Sequence, residues 1–164
     1  MKNTLAIGTI ILFIMFGIMF WGRNSQETKV SQNENEASVL SVSEKLYDFG
    51  TISMKNGLVD HVFKLTNSSG KDILLKKVVT SCMCTSAYIT GVNGEKGPFK
   101  MEGMGGINPP ANETIKVGES LNVRVVYDPN AHGPAGVGVI DRFVYLTDVS
   151  GKTLQLEIKA QVTP

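Results

Sequence analysis

The feature that most constrains the fold is a two-residue alternation of apolar and polar side chains, which recurs in short runs along most of the chain. Seven runs show it: LYDFGTI, LVDHVFKLTN, DILLKKVVTS, ETIKV, SLNVRVVY, VGVIDRFVYLT and TLQLEIKAQVT. This period is typical of strands that are buried on one face, and turn residues such as Gly, Asn and Asp separate the runs. The sequence therefore predicts an all-β, immunoglobulin-like antiparallel β-sandwich of about seven strands.

A different pattern occupies the N-terminus, where residues 5–22 form an uncharged apolar run between Lys2 and Arg23. At a helical rise of about 1.5 Å per residue, the run reaches about 27 Å, which is enough to cross the hydrocarbon core of a bilayer. We therefore expect residues 1–22 to be an uncleaved signal anchor, a transmembrane helix with Trp21 at the membrane interface. A cleaved secretory signal is the alternative, although no small-residue cleavage site follows the run. Either way the remainder is predicted to be extracytoplasmic, held on the cell membrane by a single pass or secreted if the segment is removed.

The rest of the chain divides into a polar tether and a domain. Residues 23–38 have no aromatic residue and a single valine, so they are predicted to be a flexible tether before an Ig-like domain at 39–164. The whole chain has a formal net charge of only +1, which argues against nucleic-acid binding. The glycine-rich stretch 103–106 lacks the strand-to-helix setting and the lysine of a phosphate loop, so no nucleotide site is expected.

Three motifs occur in order within the predicted domain: YDFGTI at 47–52, HVFKLTN at 61–67 and SCMCT at 81–85. In this order they resemble a bacterial Ig-like family known as domain of unknown function fifteen seventy-three, a relative of Ig-like modules of the ASPM/SPD-2/Hydin kind. The resemblance covers roughly residues 45–162 and implies an Ig-like fold in an exported setting, with no established function. Two features depart from the family pattern: Met83 replaces the usual glycine of SCGCT, and residues 86–112 form a longer connection.

Strand direction predicts which connections meet. The predicted strands are 45–51, 59–66, 72–81, 113–117, 120–127, 136–147 and 153–162. Because consecutive strands of an antiparallel sandwich run in opposite directions, the connections 52–58, 82–112 and 128–135 should share one end. These three connections contain all four methionines of residues 39–164, both cysteines and His132.

This concentration of sulfur predicts a soft-metal site. Thiolate and thioether ligands favour Cu(I) and imidazole is compatible with it, so the candidate ligands are Cys82, Cys84, Met101, Met104 and His132. In an extended backbone the two cysteines point to the same side, and the glycines around the two methionines leave that loop adaptable. Zinc fits less well, because two thiolates and one histidine leave no obvious fourth ligand. Two other interpretations stay open: the cysteines are small buried hydrophobic residues, or they form a redox-active disulfide.

No catalytic constellation is recognisable, so we expect a protein that is not an enzyme. A cysteine nucleophile would need a positioned base, which only His132 could supply, and Ser81 lacks a G-x-S-x-G setting. The first functional prediction is a membrane-anchored, non-catalytic binding or scaffolding module with a protein partner in the cell envelope. The alternatives are a Cu(I)-binding or copper-delivery module and a thiol redox protein, the last disfavoured because the cysteines lack a thioredoxin-like setting.

Overall fold

The computed structural model describes residues 40–103 and 108–164, and these residues form two five-stranded sheets. The strands are β1 (Leu40–Val42), β2 (Leu46–Ser53), β3 (Val59–Asn67), β4 (Ile73–Thr80), β5 (Thr85–Gly91), β6 (Gly94–Phe99), β7 (Glu113–Ile115), β8 (Ser120–Tyr127), β9 (Gly138–Asp148) and β10 (Thr153–Thr163). Two short 3-10 helices, η1 (Met54–Asn56) and η2 (Gly133–Gly136), lie in connections between strands. The all-β, Ig-like sandwich predicted from the alternation is confirmed.

The core lies between the sheets, whose strand orders are β1-β3-β8-β5-β6 and β2-β10-β9-β4-β7. Alternation is clearest in β8 and β10, where every second residue is buried. In β8 these residues are Leu121, Val123, Val125 and Tyr127; in β10 they are Leu154, Leu156, Ile158, Ala160 and Val162. Burying each large aliphatic side chain stabilises the fold by about 1.5–3 kcal/mol, and a one-residue slip would expose the whole set.

The expected strand count and pairing need correction. All seven predicted runs are strands, but the described residues contain three more, β1, β5 and β6. The latter two form a hairpin inside the connection 82–112, which was expected to be one long loop. β5 has the sequence TSAYITG and buries a Thr and an Ala, whereas β6 has the sequence GEKGPF, with Gly and Pro. Neither strand therefore shows a clear alternation of large apolar residues. In addition, β2 pairs in parallel with β10, so that sheet is mixed rather than antiparallel.

The N-terminal predictions concern residues that the structure does not describe. The anchor at 1–22, the tether at 23–38 and the first residue of the predicted domain all precede the described ranges. Within residues 40–103 and 108–164, no helix has the length and apolar character needed to cross a membrane.

An ion pair between a partly buried lysine and a buried glutamate joins β6 to the start of β7. Glu113 is 1% exposed, and Lys96 Nζ lies 2.7 Å from its Oε2. Lys96 also donates to the carbonyls of Ala111 and Asn112, at 3.1 and 2.9 Å. Gly91 makes room for the carboxylate, since a Cβ there would collide with Glu113 Oε1. A buried charge is costly unless it is paired, so the position of Glu113 depends on Lys96.

We predict that Lys96→Met lowers the free energy of unfolding by about 2–4 kcal/mol, because it leaves a buried carboxylate without its cation. Urea denaturation of the purified full chain measures the change. The double variant Lys96→Met/Glu113→Gln should recover part of the loss, since no buried charge remains. Lys64→Met, at an exposed position of β3, is the matched control and should change stability by less than about 0.5 kcal/mol. If Lys96→Met lowered the free energy of unfolding as little as Lys64→Met does, Lys96 would not be needed to stabilise the buried carboxylate of Glu113.

Candidate functional site

The candidate site is built on the turn where the chain leaves β4 in one sheet and enters β5 in the other. Thr80, only 3% exposed, directs its Oγ1 to the carbonyls of Cys82 (3.0 Å) and Thr85 (3.1 Å). The amide of Thr85 also donates to the Cys82 carbonyl, at 3.1 Å. Ser81 and Phe143 exchange two further hydrogen bonds, each 2.9 Å, which fix the turn to β9. The four residues 81–84 therefore form a tight, hydrogen-bonded crossing between the sheets.

Within this turn Cys82 and Cys84 form a disulfide, with their Cα atoms 5.3 Å apart. The two cysteines are in different environments. Cys84 is 2% exposed and belongs to the core, whereas Cys82 is partly buried at its edge. Met83, which lies between them, is 46% exposed. Of the interpretations left open, the small-hydrophobe description therefore fits Cys84, and the two sulfurs are paired with each other.

His132 reaches the site from the connection between β8 and β9. Asp128 Oδ1 accepts a hydrogen bond from the Asn130 amide (2.8 Å), and the Asn130 side chain donates to the Met54 carbonyl (2.9 Å). These contacts hold the loop against the β2–β3 connection and place His132 Nε2 3.2 Å from Cys82 Sγ. His132 is an exposed residue, so its side chain forms the part of the site that faces solvent.

Arg142 completes the surroundings of the sulfurs and was not found by sequence reasoning. Its Nε donates to Cys84 Sγ at 3.3 Å, and its Nη1 donates to the Asp141 carbonyl at 2.8 Å. The β4–β9 register pairs Thr80 with Val144, so its continuation by two residues brings Arg142 opposite Cys82. Nothing in the sequence alone pairs these two strands, which is why the residue was missed.

The guanidinium also influences a neighbouring group. Burial raises the pKa of Tyr127, and the positive charge of Arg142 partly offsets this rise, while the negative charge of Asp128 adds to it. Tyr127 therefore stays neutral at physiological pH.

The structure brings three of the five predicted ligands together. The Sγ atoms of Cys82 and Cys84 and a ring nitrogen of His132 all lie within 4.8 Å of one another. Met101 follows β6 and is partly buried; the carbonyl of the preceding Lys100 accepts a bond from the Thr80 amide (3.4 Å), so this backbone runs beside the same turn. Met104 lies outside the described residues. A role for any of the five as metal ligands stays a prediction. In the disulfide the sulfurs carry no thiolate charge, so any metal would require the reduced form.

Comparison with known proteins agrees with the fold and leaves the function open. Residues 40–102 match the family described as "Protein of unknown function (DUF1573)". The chain is similar in structure to a protein of unknown function from Porphyromonas gingivalis W83, at 15% identity and a TM-score of 0.53. It is also similar to a family 123 glycoside hydrolase from Clostridium perfringens, at 5% identity and a TM-score of 0.51. Identities this low establish a shared fold alone.

These matches are partial on both sides. The alignments cover 74% and 73% of this chain, but only 46% of the Porphyromonas protein and 23% of the hydrolase. This chain therefore spans less than half the length of either structure. None of the curated proteins matches it.

The hydrogen bonds of Thr80 give a test of the turn. We predict that Thr80→Val lowers the free energy of unfolding by about 1–3 kcal/mol, because it removes the single hydroxyl donor that the carbonyls of Cys82 and Thr85 share at the turn. Thr80→Ser keeps the hydroxyl and should lose less. Thr90→Val, at an exposed position of β5, is the control and should change stability by less than about 0.5 kcal/mol. Urea denaturation under non-reducing conditions measures all three, and equal stability of Thr80→Val and the parent would refute the role of Thr80.

Proposed function

We propose that this chain, whose residues 40–102 match the DUF1573 family, carries a Cu(I) site that forms when its disulfide is reduced. Cys82, Cys84 and His132 are the proposed ligands. The observation that supports this function is the convergence of their three ligand atoms within 4.8 Å at the β4–β5 turn. Residues 50 positions apart in the chain are brought into hydrogen-bonding contact there, since His132 Nε2 lies 3.2 Å from Cys82 Sγ.

The chemistry of this donor set selects the metal. Two thiolates and one imidazole are soft to intermediate ligands, which favour Cu(I) over Mg²⁺, Ca²⁺ or Mn²⁺. A structural zinc site would need a fourth protein ligand, and these three residues do not supply one. We assign Met101 an auxiliary role, because it follows Lys100, whose carbonyl accepts a hydrogen bond from Thr80 at the turn, and it carries a thioether. Met104, which lies outside the described residues, is assigned the same role because its thioether follows three positions later in the sequence.

The proposed setting is extracytoplasmic and membrane-bound. The apolar run at 5–22 supports a membrane anchor, and the disulfide supports an oxidising compartment, since disulfides persist there and are rare in the cytosol. The site would act without catalysis, as a store or donor of the metal. Nucleic-acid and nucleotide ligands have no part in this function.

A second candidate function is the binding or scaffolding module with an envelope protein as its partner. It is favoured by three exposed apolar side chains in the connections that meet at this end: Leu58, Met83 and Val137. Exposed apolar groups in neighbouring connections can contribute to a docking surface. This function needs no metal, so a failure to bind Cu(I) would not count against it. A copper-delivery protein, by contrast, would need both a docking surface and a metal site.

Titration with Cu(I) tests the proposal. The purified, reduced full chain, held in detergent because of residues 5–22, is titrated without oxygen against a chromophoric Cu(I) chelator. We expect one Cu(I) per chain, and at least tenfold weaker binding for His132→Gln. The Cys82→Ser/Cys84→Ser variant should lose the site.

The matched control is His61→Gln, which removes the other histidine of the chain, one that lies in β3 and contacts Glu44 and Tyr47. It should bind Cu(I) as tightly as the parent. If the Cys82→Ser/Cys84→Ser variant bound Cu(I) as tightly as the parent, the copper function would be refuted.

A further inference from the structure

The two sulfurs of the disulfide differ in access and in electrostatic surroundings. Cys84 Sγ lies in the core, with Arg142 Nε at 3.3 Å and Thr85 Oγ1 at 3.7 Å. Cys82 Sγ lies at the edge of the core and contacts the exposed imidazole of His132. Cys82 is therefore the less buried of the two residues, with its sulfur against an exposed side chain, and Cys84 has a fixed positive charge beside its sulfur.

This asymmetry matters for thiol–disulfide exchange. An incoming thiolate attacks one sulfur, and the S–S bond breaks with its electron pair on the other sulfur. The rate depends on the access of the attacked sulfur and on the stability of the thiolate that leaves. Both factors favour the same direction here, because Cys82 is less buried than Cys84 and a Cys84 thiolate would accept a charge-assisted hydrogen bond from Arg142.

We propose that this disulfide is a directional exchange site, in which an external thiolate attacks Cys82 and Cys84 leaves. The inference deepens the proposed function, because reduction must precede Cu(I) binding, and it assigns the reductant as a dithiol protein or a small thiol. Arg142 acts as a positioning residue: it holds the buried sulfur and stabilises the charge that develops on it.

A dithiol donor reduces the disulfide in two exchange steps. In the first step a donor sulfur bonds to Cys82 Sγ, and the electron pair of the broken bond stays on Cys84. In the second step the other donor thiolate attacks the donor sulfur of this mixed disulfide, and Cys82 leaves as a thiolate beside His132. The donor ends as a disulfide, the chain gains two electrons, and the protons released by the donor thiols pass to the cysteines or to solvent.

Mapping the mixed disulfide tests the direction of attack in the unaltered protein. The oxidised, copper-free full chain is exposed briefly to glutathione, quenched with acid, alkylated and digested, and the modified peptides are quantified by mass spectrometry. We expect glutathione on Cys82 and the alkylating group on Cys84 in about tenfold excess over the reverse product. Equal amounts, or an excess of glutathione on Cys84, would overturn the proposal.

The rate of reduction by dithiothreitol tests the role of Arg142. Arg142→Gln should slow the reaction about tenfold, the effect of losing one hydrogen bond to a charged group. Arg142→Lys should restore most of the rate, and Lys64→Gln, which removes a positive charge from β3, should leave it unchanged. A parental rate in Arg142→Gln would exclude a role for the guanidinium. Because both experiments contain no copper, the exchange site and the copper site can fail independently.

Discussion

The candidate site depends on the crossing from β4 to β5, where four residues carry the chain from one sheet to the other. A crossing this short places backbone carbonyls in the core, and those carbonyls must be hydrogen-bonded if the turn is to be stable. The buried hydroxyl of Thr80 meets this requirement, since it bonds the carbonyls of Cys82 and Thr85. The turn also sets the difference between the two cysteines, because Cys84 enters the core at the start of β5 while Cys82 stays at its edge.

Strand directions account for the convergence of His132 and the cysteines, and they could be predicted from the sequence even though the strand count was wrong. The missed strands β5 and β6 form a hairpin, and inserting two strands leaves the direction of every later strand unchanged. The connections carrying Met54, Cys82 and His132 therefore still meet at one end, as the contacts of Asn130 and His132 show. The same alternation gives β2 and β10 a common direction, so their pairing as neighbours has to be parallel.

Other features could not be predicted, and the reasons are physical. Alternation identifies strands with large apolar residues, but two of the three buried residues of β5 are Thr85 and Ala87, one polar and one small, so the strand has little apolar signal. Alternation also says nothing about which strands are neighbours, so the approach of Arg142 from β9 to the β4–β5 turn has no local signature. The disulfide was one of several interpretations of C-x-C, because spacing alone does not distinguish paired thiols from free ones.

The two proposals describe two redox states of the same atoms. In the oxidised state the sulfurs bond to each other, with His132 beside one and Arg142 beside the other. In the proposed reduced state both would serve as thiolate ligands, and His132 Nε2 already lies 3.2 Å from Cys82 Sγ. Metal binding and reduction are therefore linked, since Cu(I) would stabilise the reduced form by binding only to it.

X-ray absorption at the copper edge identifies the ligands of the proposed site. We predict that the Cu(I)-loaded, reduced full chain shows sulfur scattering together with the multiple scattering of one imidazole. The imidazole signal should disappear in His132→Gln and persist in His61→Gln. A spectrum of sulfur ligands alone, unchanged by the loss of His132, would contradict the proposed site.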